Sequence, residues 1–106
     1  MKPVFIHPAA RAELDDAMAF YESRADGLGL DLQLMVAQAV DRIQRNPELW
    51  PPHKRTPFRK CFTHRFPFVI FYMELPNAIW IAAIAHGRRR PDYWRQRRDD
   101  QPGKPV

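Results

Sequence analysis

The chain has almost no sulfur chemistry to offer. Cys61 is the single cysteine among 106 residues, so no internal disulfide can form, and a reducing compartment is expected. Glycine is equally scarce, at four residues. Gly27 and Gly29 sit between two helical patterns and lack a following Lys-Ser/Thr, which excludes a phosphate-cradling loop. The histidines His7, His53, His64 and His86 are scattered, and none stands at zinc-ligand spacing, so no metal site and no cofactor are expected. The longest apolar run, Ala78 to Ala85, is far too short to span a bilayer. The opening Met1-Lys2-Pro3-Val4-Phe5-Ile6-His7-Pro8 lacks the apolar stretch of a signal peptide. A cytoplasmic protein with no membrane partner is the expectation.

What is present is enough for one core. Hydrophobic residues make up 45% of the chain and aromatics 12%, richer than a disordered chain would be. The length allows one domain, expected over 1–100, with a polar, proline-containing tail fraying over 101–106. Val4-Phe5-Ile6 reads as a short opening strand with Pro3 at its start. Pro8 suits the first turn of a helix, and Ala10, Leu14, Ala17, Met18 and Tyr21 follow at helical spacing, opposite Arg11, Asp15, Asp16 and Glu22. Asp26-Gly27-Leu28-Gly29 breaks that helix. A second follows, with Leu32, Met35, Val36, Ala39, Val40 and Ile43 on one stripe, and Asn46-Pro47 ends it.

Two amphipathic helices joined by a short loop predict a helical hairpin that needs an apolar surface to lie on. The second half supplies it. Pro47, Pro51, Pro52 and Pro57 mark a loop, then Arg59–Thr63 and Phe68–Met73 read as strands, with turn chemistry at Leu75-Pro76-Asn77-Ala78. Ile79–Ala85 is apolar at nearly every position, as in a strand covered on both faces. The fold class is therefore α+β in the order β-α-α-β-β-β: an N-terminal strand, a helical hairpin on one sheet face, a three-stranded antiparallel meander and a short C-terminal helix starting near Pro91.

Charge divides the chain unevenly. Residues 1–46 carry five Lys/Arg against seven Asp/Glu, a balance of −2, and residues 47–106 carry twelve against five, a balance of +7, which together give the net +5. One end of the molecule thus attracts anions, either nucleic acid or an acidic protein surface. Six arginines fall between Arg88 and Arg98, too dense for a merely solvated face. Asp15 and Asp16 read as solvated charges, and Cys61 as a buried structural thiol.

The constellation His86-Gly87-Arg88-Arg89-Arg90-Pro91-Asp92-Tyr93-Trp94-Arg95 is the candidate target-binding segment. Arginine offers a fixed fork of donors for phosphate or carboxylate, and aromatic rings offer stacking faces. His86 adds a group that exchanges protons near neutral pH. Arg59 and Arg65, from the preceding strands, are placed facing the same area. Tyr93 and Trp94 have two open readings, capping the core or facing a ligand.

These residues, in this order, resemble the RelE/ParE superfamily of type II toxin–antitoxin toxins. The likeness rests on Ala12-Glu13-Leu14 with Ala17 and Tyr21, on Asn46-Pro47, on Arg65-Phe66-Pro67-Phe68-Val69-Ile70-Phe71-Tyr72, and on His86-Gly87-Arg88-Arg89-Arg90-Pro91-Asp92-Tyr93-Trp94. It implies a toxin that inhibits bacterial growth and is neutralised by a cognate antitoxin in a hetero-oligomer. RelE-like members cleave mRNA on the ribosome, whereas ParE-like members poison DNA gyrase. Where RelE-like enzymes carry an arginine in the central hairpin this chain has Val69; their lysine pair is represented by Lys60 alone, with Phe62 at the other position; Arg90 matches, but Trp94 replaces the catalytic tyrosine, with Tyr93 beside it. Losing one charge-stabilising donor commonly costs on the order of a hundred- to a thousandfold in rate. The ParE-like activity on gyrase is therefore the first reading. The alternative is a ribosome-dependent endoribonuclease, with Arg65, His86, Arg90 and Tyr93 as its catalytic set, and a non-toxic antitoxin-binding module is the third.

Overall fold

A computed structural model describes residues 1–102. Residues 103–106, and with them the end of the tail expected over 101–106, lie outside the described residues. The chain opens with β1 (Val4–Ile6) and passes directly into α1 (Pro8–Arg24). Pro8 occupies the first helical position, where a missing N–H costs nothing. His7 caps the helix, its Nδ1 accepting the Ala9 amide at 2.9 Å.

The break before the second helix is shorter than the glycine pattern predicts. The helical path is interrupted over residues 25–27, by extended Ala25 and by Gly27 at φ 84°; Gly29 already lies in the first turn of α2 (Leu28–Arg45). A Cβ on Gly29 would stand 2.6 Å from the Met18 carbonyl oxygen. Glycine there serves close approach of the two helices rather than a turn. The predicted stripe is the buried one: Leu32, Val36, Ala39 and Ile43 are enclosed, with Met35 and Val40 at the margin.

Three strands follow as a meander, β2 (Arg59–Phe62), β3 (Phe68–Leu75) and β4 (Ala78–His86), with both pairings antiparallel. β1 returns to the far side of β4 and pairs parallel to it, Val4 against Ile79 and Ile6 against Ile81. The order is β1-β4-β3-β2, so the sheet is mixed. A parallel pair needs a crossover connection, which the helical hairpin and meander together provide.

β4 is buried along its whole length except at His86. Ile79, Ile81 and Ile84 share the helix-side core with Ile70, Cys61 and Tyr72. Trp80, Ala82, Ala83 and Ala85 belong to a second core with Phe58, Phe71 and Trp94. Among the described residues no α-helix covers that second face. Trp94 does, only 1% exposed, stacked on Phe71 at 4.2 Å and edge-on to Phe58 at 4.7 Å.

The proline-rich loop runs from the helix-side core, where Trp50 packs, to the second core, where His53 and Phe58 pack, and is tied down by hydrogen bonds. Tyr72 donates its hydroxyl to the Pro47 carbonyl at 2.7 Å, Arg59 its guanidinium to that of Trp50 at 2.7 Å, and His53 its amide to that of Phe58 at 2.8 Å. Burial pushes the Tyr72 hydroxyl up to about 12.

The C-terminal helix begins later than Pro91. Residues 91–94 form turns, and a 3-10 helix spans Arg95–Asp100. Of Tyr93, Trp94 and Arg95, only the last is in it. The cause is Asp92, whose φ of 61° is left-handed and cannot continue a helix from Pro91.

Trp94→Ala would leave a void between Phe58 and Phe71. It is expected to cost about 3–5 kcal/mol, read as a fall in the urea midpoint. An unchanged midpoint would show that the indole is not part of the core.

Candidate functional site

β1 stops at Ile6, so among the described residues β4 runs on from Ala82 with no strand beside it on that edge. A bulge falls at the same point: Phe71 pairs with Ala83 and Tyr72 with Ile81, leaving Ala82 without a partner on β3. Unpaired backbone groups at a buried position are costly. Two side chains satisfy them. Glu13 of α1 accepts the Ile84 amide at 3.1 Å, and Arg97 donates to the Ala82 carbonyl at 3.0 Å.

Those two side chains are also paired with each other. The Arg97 guanidinium meets Glu13 in a fork, at 3.2 Å to Oε1 and 3.1 Å to Oε2. Both are largely enclosed, at 15% and 12% exposure. The Tyr93 hydroxyl donates to Glu13 Oε2, and Arg89 lies over the Tyr93 ring, 4.0 Å from its centre. Burial, then the hydrogen bond to Glu13, raises the Tyr93 phenol well above its ordinary value.

A second fastening lies on the opposite side of the segment. Asp92 receives His53 Nε2 at 2.7 Å and Lys54 Nζ at 2.5 Å, with Arg95 at 3.6 Å. The lysine and histidine hydrogen bonds hold the Asp92 carboxyl down at about 2. The His53 ring packs edge-on to Phe71 at 5.0 Å. Its Nδ1 is buried without a partner among the described residues. Asp92 thus joins the proline-rich loop to the arginine segment.

The sequence-predicted residues are distributed unevenly around this frame. His86, Arg90 and Tyr93 line one hollow of about 370 Å3, with Lys54, Val69 and Arg89. His86, Arg89 and Tyr93 also line an apolar groove of about 520 Å3 beside the open edge of β4, floored by Ala17, Tyr21 and Phe68. Arg88 is exposed, and its amide donates to His86 Nδ1 at 3.0 Å. Arg95 is exposed at the start of the 3-10 helix.

Three residues are elsewhere. Arg65 turns toward α2 and pairs with Asp31 at 3.3 Å. Arg59 is committed to loop carbonyls. Trp94 is inside the second core and presents no face to a ligand.

Glu13, His53, Asp92 and Arg97 are the residues that sequence reasoning passed over as site builders. Glu13 had a signal: it stands three residues after Ala10 and four before Ala17, on the margin of the core-facing stripe. His53, Asp92 and Arg97 had none, because their partners are 39 and 84 residues away.

A model of the ParE toxin of type II toxin-antitoxin systems, parDE, matches residues 4–91. The chain belongs to the ParE toxin family. The matched span ends at Pro91, so Asp92, Tyr93, Trp94 and Arg97 lie beyond it. Among solved structures, a chain of the "Chromosomal ParDE TA system from P. aeruginosa" is similar with a TM-score of 0.70. The two are 21% identical, and the match covers 81% of this chain and 96% of that one. At that identity the likeness establishes a shared fold. No curated protein matches the chain.

Breaking the enclosed pair has a definite expected cost. Glu13→Ala and Arg97→Ala should each lose about 3 kcal/mol or more, and the double variant less than the sum, as a thermodynamic cycle would record. Asp92→Asn should lose about 1–3 kcal/mol at pH 7. Because the folded carboxyl is held below its ordinary 3.8, its contribution is present above that value and lost as pH falls to about 2. The gap between Asp92→Asn and the parent should therefore close between pH 4 and 2 in urea titrations. A gap constant over that window would contradict the assignment.

Proposed function

We propose that this ParE-family protein is the toxin of a two-component module, that it arrests bacterial growth by acting on DNA gyrase, and that a cognate antitoxin neutralises it in the cytoplasm. Family membership over residues 4–91 carries the first part. The gyrase target is supported by the chemistry of the second sheet face.

The register puts Lys60, Phe62, Val69, Phe71, Ala83 and Ala85 on the side away from the helices. These include the positions at which a RelE-like enzyme would carry its phosphate-neutralising residues. Here the surface around Val69 is built of Phe71, Ala85, Phe58 and Trp94. Cleaving RNA requires charge stabilisation at the phosphate and proton transfer at the 2′-hydroxyl. Tyr93 is a poor proton donor or acceptor near neutral pH, with its phenol raised and bound to Glu13. Arg65 stands apart on Asp31.

One observation favours the ribonuclease alternative. His86, Arg90 and Tyr93, three of its four implied residues, share a hollow. Its floor is Val69, Phe71 and Ala85, where the transition state would need cations. Binding to a target protein asks only for exposed anchors and complementary charge, which Arg88 and Arg90 offer.

The test is induction of the protein alone in bacteria. Filamentation and DNA-damage signalling with intact mRNA are expected. Rapid loss of translation with ribosome-dependent mRNA cuts would establish the ribonuclease instead, and unimpaired growth would favour the non-toxic binding module. Replacing Arg88, Arg89 and Arg90 by alanine is expected to abolish growth arrest while the far-UV spectrum and melting stay close to the parent's. Persistent arrest in that folded variant would remove the segment from the target surface.

A further inference from the structure

We infer that the protein binds the phosphate backbone of duplex DNA directly, through a composite arginine surface formed by the proline-rich loop and the C-terminal segment together. The loop alone and the segment alone are each incomplete. Arg55 comes from the loop and Arg95 and Arg98 from the 3-10 helix, and all three line one hollow of about 350 Å3. Lys54 and Arg90 rim the neighbouring one. The two hollows adjoin at Asp92, which both Lys54 and Arg95 reach.

Lys54 is held by Asp92, but the arginines on this surface are paired at long range or not at all. Arg55 and Arg90 have no acidic partner within 4.0 Å among the described residues. Arg98 reaches Asp99, the one acidic side chain lining the same hollow, only at 4.0 Å, and Arg95 reaches Asp92 only at 3.6 Å. Asp92 is itself already bound by Lys54 and His53. Arg97, by contrast, is consumed by Glu13 and faces inward.

The kind of polyanion follows from what the surface lacks. Single-stranded nucleic acid is held by exposed aromatic platforms on which bases stack. The rings lining the two hollows are withdrawn: Phe58, Phe71 and Trp94 are in the second core, His53 packs on Phe71, and Tyr93 lies beneath Arg89. An acidic protein would call for apolar anchors at the centre of the contact. Phe58, the one apolar side chain lining the arginine hollow apart from Pro57, is 2% exposed. Separated guanidinium forks around hollows lined by no exposed ring suit the regularly spaced phosphates of a duplex.

Fluorescence anisotropy of the full chain with a labelled 20-base-pair duplex at varied salt tests this. Binding in the range of about 1–100 μM is expected at moderate salt, weakening by about 0.9 log unit per log unit of salt for each phosphate engaged. A triple variant, Arg55→Ala with Arg95→Ala and Arg98→Ala, is expected to bind at least tenfold more weakly, with a salt slope smaller by about 2–3. The control is Arg11→Ala with Arg24→Ala and Arg45→Ala, exposed helix arginines whose removal also lowers the net charge from +5 to +2. It should bind within threefold of the parent. Melting curves establish that both variants are folded. Equal weakening by both triples would reduce the effect to bulk charge and overturn the assignment. So would tighter binding to the separated single strand, or equally effective competition by polyglutamate at matched charge, which would make the surface one for an acidic protein. Bare DNA is the probe, so the outcome does not depend on whether gyrase is the cellular target.

Discussion

The carboxylate of Glu13 is the constraint on which the functional end of the molecule depends. The opening strand is too short to cover β4, and the bulge at Ala82 leaves backbone groups facing an empty edge. A carboxylate from α1 and a guanidinium from the C-terminal segment fill that vacancy together. Removing a pair of charges from water is expensive unless every lone pair and donor finds a partner. Here Glu13 accepts from Ile84, Tyr93 and Arg97, and Arg97 also reaches a carbonyl. The consequence is positional: the tail is fastened to the helix, and the arginines before it are displayed on a fixed frame.

Asp92 plays the complementary part on the other side. Its left-handed backbone directs the chain away from a helix, and its carboxylate gathers His53 and Lys54 from the proline-rich loop. Between the two fastenings Trp94 is driven onto Phe71. The second sheet face, which no α-helix covers among the described residues, is thereby closed by a single indole and its neighbours. Of the residues that make this closure, Asp92 and Trp94 fall beyond the span shared with the family model, whereas His53, Lys54, Phe58 and Phe71 lie within it. Stability of the sheet and presentation of the arginines are thus one problem with one solution.

Much of this architecture was legible from local pattern. The α2 stripe, the meander and the doubly covered β4 follow from periods of 3.6 and 2 and from proline positions, all short-range signals. The parallel return of β1 was not legible, because nothing in Val4-Phe5-Ile6 specifies which edge it joins. Gly29 looked like a break because glycine marks turns, and only the approach of Met18 reveals its packing role. At the site, the clustering of arginines was visible, but their division of labour was not. Arg97 is enclosed on Glu13, whereas Arg98, one residue on, is exposed with only Asp99 near it. Trp94 and Tyr93 were ambiguous for the same reason: the two differ in facing inward or along the helix, and that depends on partners far away in the chain.

Amide hydrogen exchange at Ile84 is the most direct measurement of this account. That N–H has no strand beside it, and Glu13 is its acceptor. Exchange as slow as at Ile79 and Ile81 is expected in the parent protein, with protection lost at Ile84 but retained at Ile79 and Ile81 when Glu13 is replaced by alanine. Rapid exchange at Ile84 in the parent, or undiminished protection in Glu13→Ala, would contradict the claim that this carboxylate seals the edge and holds the arginine segment in place.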